Sequence, residues 1–129
     1  MDSNNRILIV EDQASLRTLA RLWLELEGYD VVLASDGIEG LRRFADSTPD
    51  LIVTDMNMPR MNGIEFSRSV RVTSSIPIIM WSSNPNRPNL TLGSRPLIDD
   101  YADKTGDSRD LTVKGGVKVY QWGGVKPHD

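Results

Sequence analysis

Two apolar runs in this chain end in carboxylates, and they carry its clearest chemistry. Ile7-Leu8-Ile9-Val10 runs into Glu11-Asp12, and Leu51-Ile52-Val53-Thr54 runs into Asp55. Each reads as a buried strand that delivers acid to its C-terminal tip. After Asp55 the chain turns at once through Met56-Asn57-Met58-Pro59-Arg60-Met61-Asn62-Gly63, where proline and glycine break the strand. Ligands of open α/β sheets bind beyond the carboxyl ends of the strands. Two adjacent parallel strands would therefore gather Glu11, Asp12 and Asp55 at one edge. Acids held that close repel one another, and a divalent cation relieves the repulsion. All-oxygen ligands suit Mg²⁺, which takes a few carboxylates and keeps several waters. Glu11-Asp12 has a plainer alternative as a helix cap, since negative charge is favoured at a helix N-terminus. A third acid at a second strand tip favours the metal.

The elements that must position these acids follow from periodicity. Residues 6–10 form the first strand. In residues 13–27, Leu16, Leu19, Ala20, Trp23 and Leu26 recur at helical spacing, and Gly28 stops the helix. Val31-Val32-Leu33 is a second strand. Ile38, Leu41, Phe44 and Ala45 mark a second helix, closed by Ser47-Thr48-Pro49. Residues 51–54 are the third strand. Gly63 opens a third helix through residue 72, with Ile64, Phe66 and Val70 inward. Residues 76–81 are the fourth strand, with Pro77 near its start, where a missing N–H is tolerated. Trp23 and Trp81 read as core or edge packing. Strands alternating with helices imply βαβ units and a parallel sheet.

The pattern changes after Ser82. Residues 82–96 hold Pro85, Pro88, Gly93 and Pro96, and a proline inside a helix costs about 3 kcal/mol. That leaves room for no more than a short turn around residues 90–92. Residues 98–104 read as a weak fifth strand. Residues 110–122 alternate apolar and polar side chains about Gly115-Gly116, a β-hairpin signature.

The chain has 129 residues, enough for one domain with a sizeable core. Its formal net charge of -3 leaves no basic footprint for nucleic acid. Cysteine is absent, so disulfides and thiolate metal sites drop out. No apolar run nears the roughly 18 residues of a membrane span, and the start lacks a secretory signal. A cytoplasmic protein is expected. The single histidine, His128, lies in a polar tail, which argues against histidine catalysis.

Taken together, these residues resemble the receiver domain of two-component response regulators. Ile-Leu-Ile-Val-Glu11-Asp12 is similar to its first strand with the acidic pair. Asp55 in Val-Thr-Asp-Met-Asn-Met-Pro-Arg-Met-Asn-Gly is similar to its phosphorylated aspartate and following loop. Ile-Pro-Ile-Ile-Met-Trp-Ser82 resembles its fourth strand with the hydroxyl switch residue. Asp99-Asp100-Tyr101-Ala102-Asp103-Lys104 resembles its fifth, with the switch aromatic and the lysine. The resemblance implies a doubly wound five-stranded parallel sheet of flavodoxin-like receiver type, in a single domain of residues 1–129. It implies that Asp55 takes a phosphoryl group from a sensor histidine kinase or phosphotransfer protein, in a signalling module and not an enzyme. Mg²⁺ would be held by Asp12, Asp55 and the Asn57 carbonyl, with Glu11 acting through water. Lys104 and Ser82 would contact the phosphoryl oxygens, and Tyr101 would report the switch to a downstream protein.

The likeness is close over residues 6–82 and departs over 83–129. Non-helical segments replace the fourth and fifth helices, and Thr105 stands where the family ordinarily has a proline that aims the lysine. Losing the last helix would bare one flank of the first helix, where Leu22 and Leu24 lie off the main stripe. The hairpin either covers that flank or pairs with another chain. Since exposed hairpin edges invite strand addition, a homodimer through the C-terminal segment is expected. The alternative reading is a pseudo-receiver, an interaction module that keeps the acidic pocket without the switch. A hydrolase with an aspartyl nucleophile would need a second aspartate two residues on, and Asn57 occupies that place.

Overall fold

The structure, a computed structural model, describes residues 5–83 and 91–104. The hairpin expected at 110–122 lies outside the described residues, as does Thr105.

Unbroken β-branched and aliphatic runs need cover on both faces, and the fold supplies it. Strands β1 (Arg6–Val10), β2 (Asp30–Ala34), β3 (Leu51–Thr54), β4 (Ile78–Ser82) and β7 (Asp100–Asp103) form one parallel sheet in the order β2-β1-β3-β4-β7. Odd and even residues alternate between the faces. Ile7, Ile9, Leu51, Val53, Ile79 and Trp81 share one core with Ala20 and Leu24 of helix α1 (Ala14–Leu26). Leu8, Val10, Ile52, Ile78 and Met80 share the other with Phe66 and Val70 of helix α3 (Gly63–Arg71). Helix α2 (Gly37–Ser47) adds Leu41 and Phe44 to that second face. The order reverses between β1 and β3, which is where a crevice opens in such sheets.

Helix ends follow their local chemistry. Asn62 and Glu65 form a reciprocal capping box at the start of α3. Asp36 accepts from the Glu39 N–H at 2.9 Å to start α2. At the end of α1, Gly28 takes φ 96, with Gly28 N donating to Glu25 O and Tyr29 N to Leu24 O. That is a Schellman motif, which glycine alone adopts without strain.

The inward stripe of α1 corrects the sequence expectation. Leu24, expected on a bared flank, is 1% exposed, whereas Leu19 and Leu26, expected inward, are 36% and 68% exposed. Leucines surround this helix, so periodicity alone does not choose among stripes. Leu16, Ala20 and Leu24 meet the sheet, and burying a leucine stabilises by about 1.5–3 kcal/mol. Leu22 is exposed as expected, Trp81 is core, and Trp23 is half-buried. Ala45 of α2, expected inward, is exposed.

Beyond β4, strands β5 (Thr91–Leu92) and β6 (Arg95–Pro96) pair antiparallel around Gly93, at φ 67. Thr91 and Leu92 are thus extended, and the short turn for which the sequence left room does not include them. The chain then drops Leu97 and Ile98 into the α2–α3 face core before entering β7.

Candidate functional site

Each acid is pinned by a ladder that runs one residue past its strand. Glu11 N donates to Ala34 O at 3.0 Å, and Asp55 N donates to Val10 O at 2.8 Å. The acids therefore leave neighbouring strands side by side, and oxygens of Glu11, Asp12 and Asp55 all lie within 4.8 Å of one another. Glu11 is fully buried and Asp55 is 6% exposed, while Asp12 opens to solvent. The plainer reading of Glu11-Asp12 as a helix cap is not met: α1 has no side-chain cap and no acid in its first turn, and Glu11 Oε2 accepts from Gln13 N, the residue before the helix, at 3.0 Å.

Lys104 follows β7, where its N–H donates to Ser82 O at 3.1 Å. Its side chain turns back under the cluster, with Nζ 2.5 Å from Glu11 Oε1 and 3.0 Å from Asp55 Oδ1. The same ammonium sits 5.2 Å from the centroid of the Trp81 ring.

Burial pushes the Asp55 carboxyl above its ordinary range; Lys104 opposes that rise and the neighbouring Asp12 adds to it. Burial likewise pushes Glu11 up, against the pull of Lys104 and the Gln13 N–H. Among the described residues, three carboxylates face one ammonium, which leaves the cluster short of positive charge. An oxygen-only donor set with one solvent-facing member is what Mg²⁺ accepts, so the residues fit that ion.

The loop after Asp55 is tight at its base. Asp55 Oδ1 accepts from Met56 N at 2.7 Å and, at a longer 3.4 Å, from Asn57 N. A Cβ at Gly63 would stand 2.0 Å from Asp55 O, so only glycine lets α3 begin there. Asn57 itself is exposed.

Ser82 closes β4 at the same edge and is 8% exposed. Tyr101 pairs in register with Met80 and packs, half-buried, against the α2–α3 face. The edge thus gathers Glu11, Asp12, Asp55, Ser82 and Lys104, while Tyr101 lies further back along β7.

Sequence reasoning missed two residues around the site. Arg17 Nη1 donates to Glu11 O at 2.8 Å, one turn into α1. Arg60 binds Asp36 through Nε at 2.9 Å and Nη2 at 2.5 Å. Asp36 followed three residues later by Glu39 was a readable capping signal; its arginine partner, 24 positions away, was not.

Known proteins share this sequence pattern and fold. The sequence matches the response regulator receiver domain family over residues 7–114. It is 37% identical over 112 residues to the alkaline phosphatase synthesis transcriptional regulatory protein PhoP of Bacillus subtilis, covering 86% of this chain and 47% of that protein. It is 34% identical over 109 residues to the DNA-binding response regulator MtrA of Mycobacterium tuberculosis, covering 84% and 48%. The chain therefore spans about half the length of these relatives. Among solved structures, the chemotaxis response regulator CheY4 of Vibrio cholerae superposes with a TM-score of 0.77 at 27% identity, covering 91% of this chain and 99% of that one. The receiver domain of the Francisella response regulator 1452 gives a TM-score of 0.79 at 25% identity, covering 92% and 98%. Parallel sheet, acidic edge and sequence match agree: the chain belongs to the response regulator receiver domain family of two-component signal transduction.

Proposed function

We propose that Asp55 is a phosphoacceptor, served by a sensor histidine kinase or phosphotransfer protein. The observation that carries this is one carboxylate at a strand tip, 3.0 Å from a lysine ammonium and inside an acidic cluster. The Asp55 carboxylate attacks phosphorus, an O–P bond forms, and the P–N bond to the donor's imidazole breaks with its electron pair returning to the ring. Such a transfer needs positioning and charge neutralisation more than covalent help. Lys104 supplies a compact positive charge beside the attacking group. Asp12, Asp55 and the Asn57 carbonyl would hold Mg²⁺, with Glu11 acting through water, and the ion would supply further positive charge to the phosphoryl oxygens.

Ser82 donates its hydroxyl to a phosphoryl oxygen and draws its loop inward, an ordering switch of the kind phosphorylation produces. Tyr101 then changes its packing and reports the state to a downstream protein. Of the relatives named above, PhoP is by its name a transcriptional regulatory protein and MtrA a DNA-binding response regulator. That this chain itself makes no nucleic-acid contact is part of the proposal and rests on its net charge of -3. A cytoplasmic setting and a homodimer through the C-terminal segment belong to it too; a light-scattering mass that stays monomeric at high concentration removes the dimer. Among the described residues no helix is long and apolar enough to cross a membrane.

Intact-protein mass spectrometry after incubation with Mg²⁺ and acetyl phosphate tests the reading. One phosphoryl adduct is expected on the wild type and none on Asp55→Asn. A folded, Mg²⁺-binding protein without adduct would make the chain a pseudo-receiver instead.

A further inference from the structure

Arg60 occupies a backbone conformation that glycine would accept more easily. Its φ is 68°, in the left-handed region that side chains with a Cβ avoid. Strain of this kind persists where the surroundings over-determine it. Here the compensation is visible. Both Nε and Nη2 of Arg60 donate to Asp36 Oδ2, at 2.9 and 2.5 Å. Asp36 is itself held, since its Oδ1 accepts from Glu39 N at 2.9 Å and its side chain is only 9% exposed. Two charge-assisted bonds onto one oxygen of an anchored carboxylate fix where the guanidinium lies, although the Arg60 side chain is itself 61% exposed.

The loop has two more attachments. Gly63 N donates to Met56 O at 2.9 Å and closes its base. Met61 lies so near α2 that a Cβ on Gly37 would stand 2.6 Å from Met61 O. Between base and latch sits Asn57, whose own link to Asp55 is the long 3.4 Å contact. Asn57 is thus placed by the rest of the loop and not by its own bond.

We propose that Arg60 is a positioning residue: its ion pair with Asp36 holds residues 56–62 in the shape that presents Asn57 to the acidic cluster. This rests on the reading of that cluster as a Mg²⁺ site. Arg60 lies outside the Glu11, Asp12 and Asp55 cluster, and its guanidinium is turned onto Asp36. Its effect is on the loop, so removing it should cost metal affinity without costing the fold.

Three forms of the full chain separate the possibilities: wild type, Arg60→Asn and Arg60→Lys. Asparagine tolerates the left-handed region without glycine's added freedom, and lysine keeps the charge but loses the fork. Mg²⁺ affinity is read from tryptophan fluorescence, since Trp81 lies 5.2 Å from Lys104 Nζ. Loop order is read by amide hydrogen exchange over residues 56–62 without metal, alongside the melting temperature. Arg60→Asn is expected to keep the wild-type melting temperature, to bind Mg²⁺ about tenfold more weakly, as loss of an outer partner of a metal ligand does, and to exchange faster in the loop. Arg60→Lys should fall between. Wild-type affinity and wild-type exchange in Arg60→Asn would overturn the proposal. A wild type that binds no Mg²⁺ would sink the cluster reading instead, and exchange alone would then decide the latch.

Discussion

At the amino end of the sheet, opposite charges meet in pairs. Arg6 Nε lies 2.8 Å from Asp30 Oδ2, and Arg71 Nη2 lies 2.8 Å from Asp99 Oδ2. These pairs also take up backbone groups. Arg6 Nη1 donates to Ser47 O, Arg71 Nη1 donates to Ile76 O, and Asp99 accepts from Ile78 N. At the carboxyl end, Glu11, Asp12 and Asp55 crowd around a single ammonium. Even there the imbalance is local, because Asp36 at the same end is matched by Arg60. One sheet thus uses charge in two ways. The paired ends of β1, β2, β4 and β7 hold strands in register, while the acidic tips keep three carboxylates together against one lysine among the described residues. Carboxylates raised by burial beside a charged partner cluster at functional sites, and structural ion pairs perturb them as well.

The largest effect should come from breaking the paired end. The Arg71 side chain is 2% exposed, so Arg71→Ala leaves the Ile76 carbonyl without its partner and leaves Asp99, 27% exposed, with the Ile78 N–H alone of the donors named above. Breaking a fully buried pair from one side costs about 3–5 kcal/mol, and the partial exposure of Asp99 lowers the expected loss to about 3 kcal/mol or less. Urea denaturation should show that loss, and Mg²⁺ affinity measured in the folded baseline should stay at the wild-type value. An equal collapse of Mg²⁺ affinity would mean that the two ends are not independent. Asp12→Asn should act with the opposite sign. It removes a negative charge flanked by two others, so stability in Mg²⁺-free buffer should rise, by up to about 1 kcal/mol, while Mg²⁺ affinity falls. A destabilised Asp12→Asn would show that the cluster is not frustrated.

How far the sequence could be read differs between the same two ends. The acidic tips were legible because a strand that ends in Asp55 and breaks at Pro59 announces itself locally. The bounds of β1 and β3 agree with the apolar runs, because nothing in those runs competes with the strand. The Arg71–Asp99 pair was not legible, since 28 positions separate its members and nothing local links them. Arg60 lies within the Asp55 motif, but its partner stands 24 positions away and no side-chain pattern signals its left-handed backbone. Helix α1 failed for another reason. Its leucines offer two stripes, and the sheet beneath decides between Leu24 and Leu26. After Ser82 the prolines indicated only what would not form, and the burial of Leu97 and Ile98 depends on packing against the α2–α3 face that local pattern does not reveal.

Acid titration should sharpen the contrast with the smallest effect. The Asp36 carboxyl is held below its ordinary range, first by the Glu39 N–H and then by Arg60. Its contribution to stability is therefore fully present above the unfolded-state value and is lost as pH falls through the lower folded one. Glu11 and Asp55 are raised by burial, so their sign is reversed. Their folded forms bind protons more tightly than the unfolded chain does, and stability without metal is lost as pH rises through their raised values. Stability in Mg²⁺-free buffer should thus increase as pH is lowered from neutrality, pass a maximum, and fall only below the ordinary carboxylate range. Asp36→Asn should remove part of that final fall and leave the rise untouched. Urea midpoints taken across pH decide it: a profile that falls steadily from neutrality would show that the acidic tips are already neutralised, and the repulsion inferred for them would not exist.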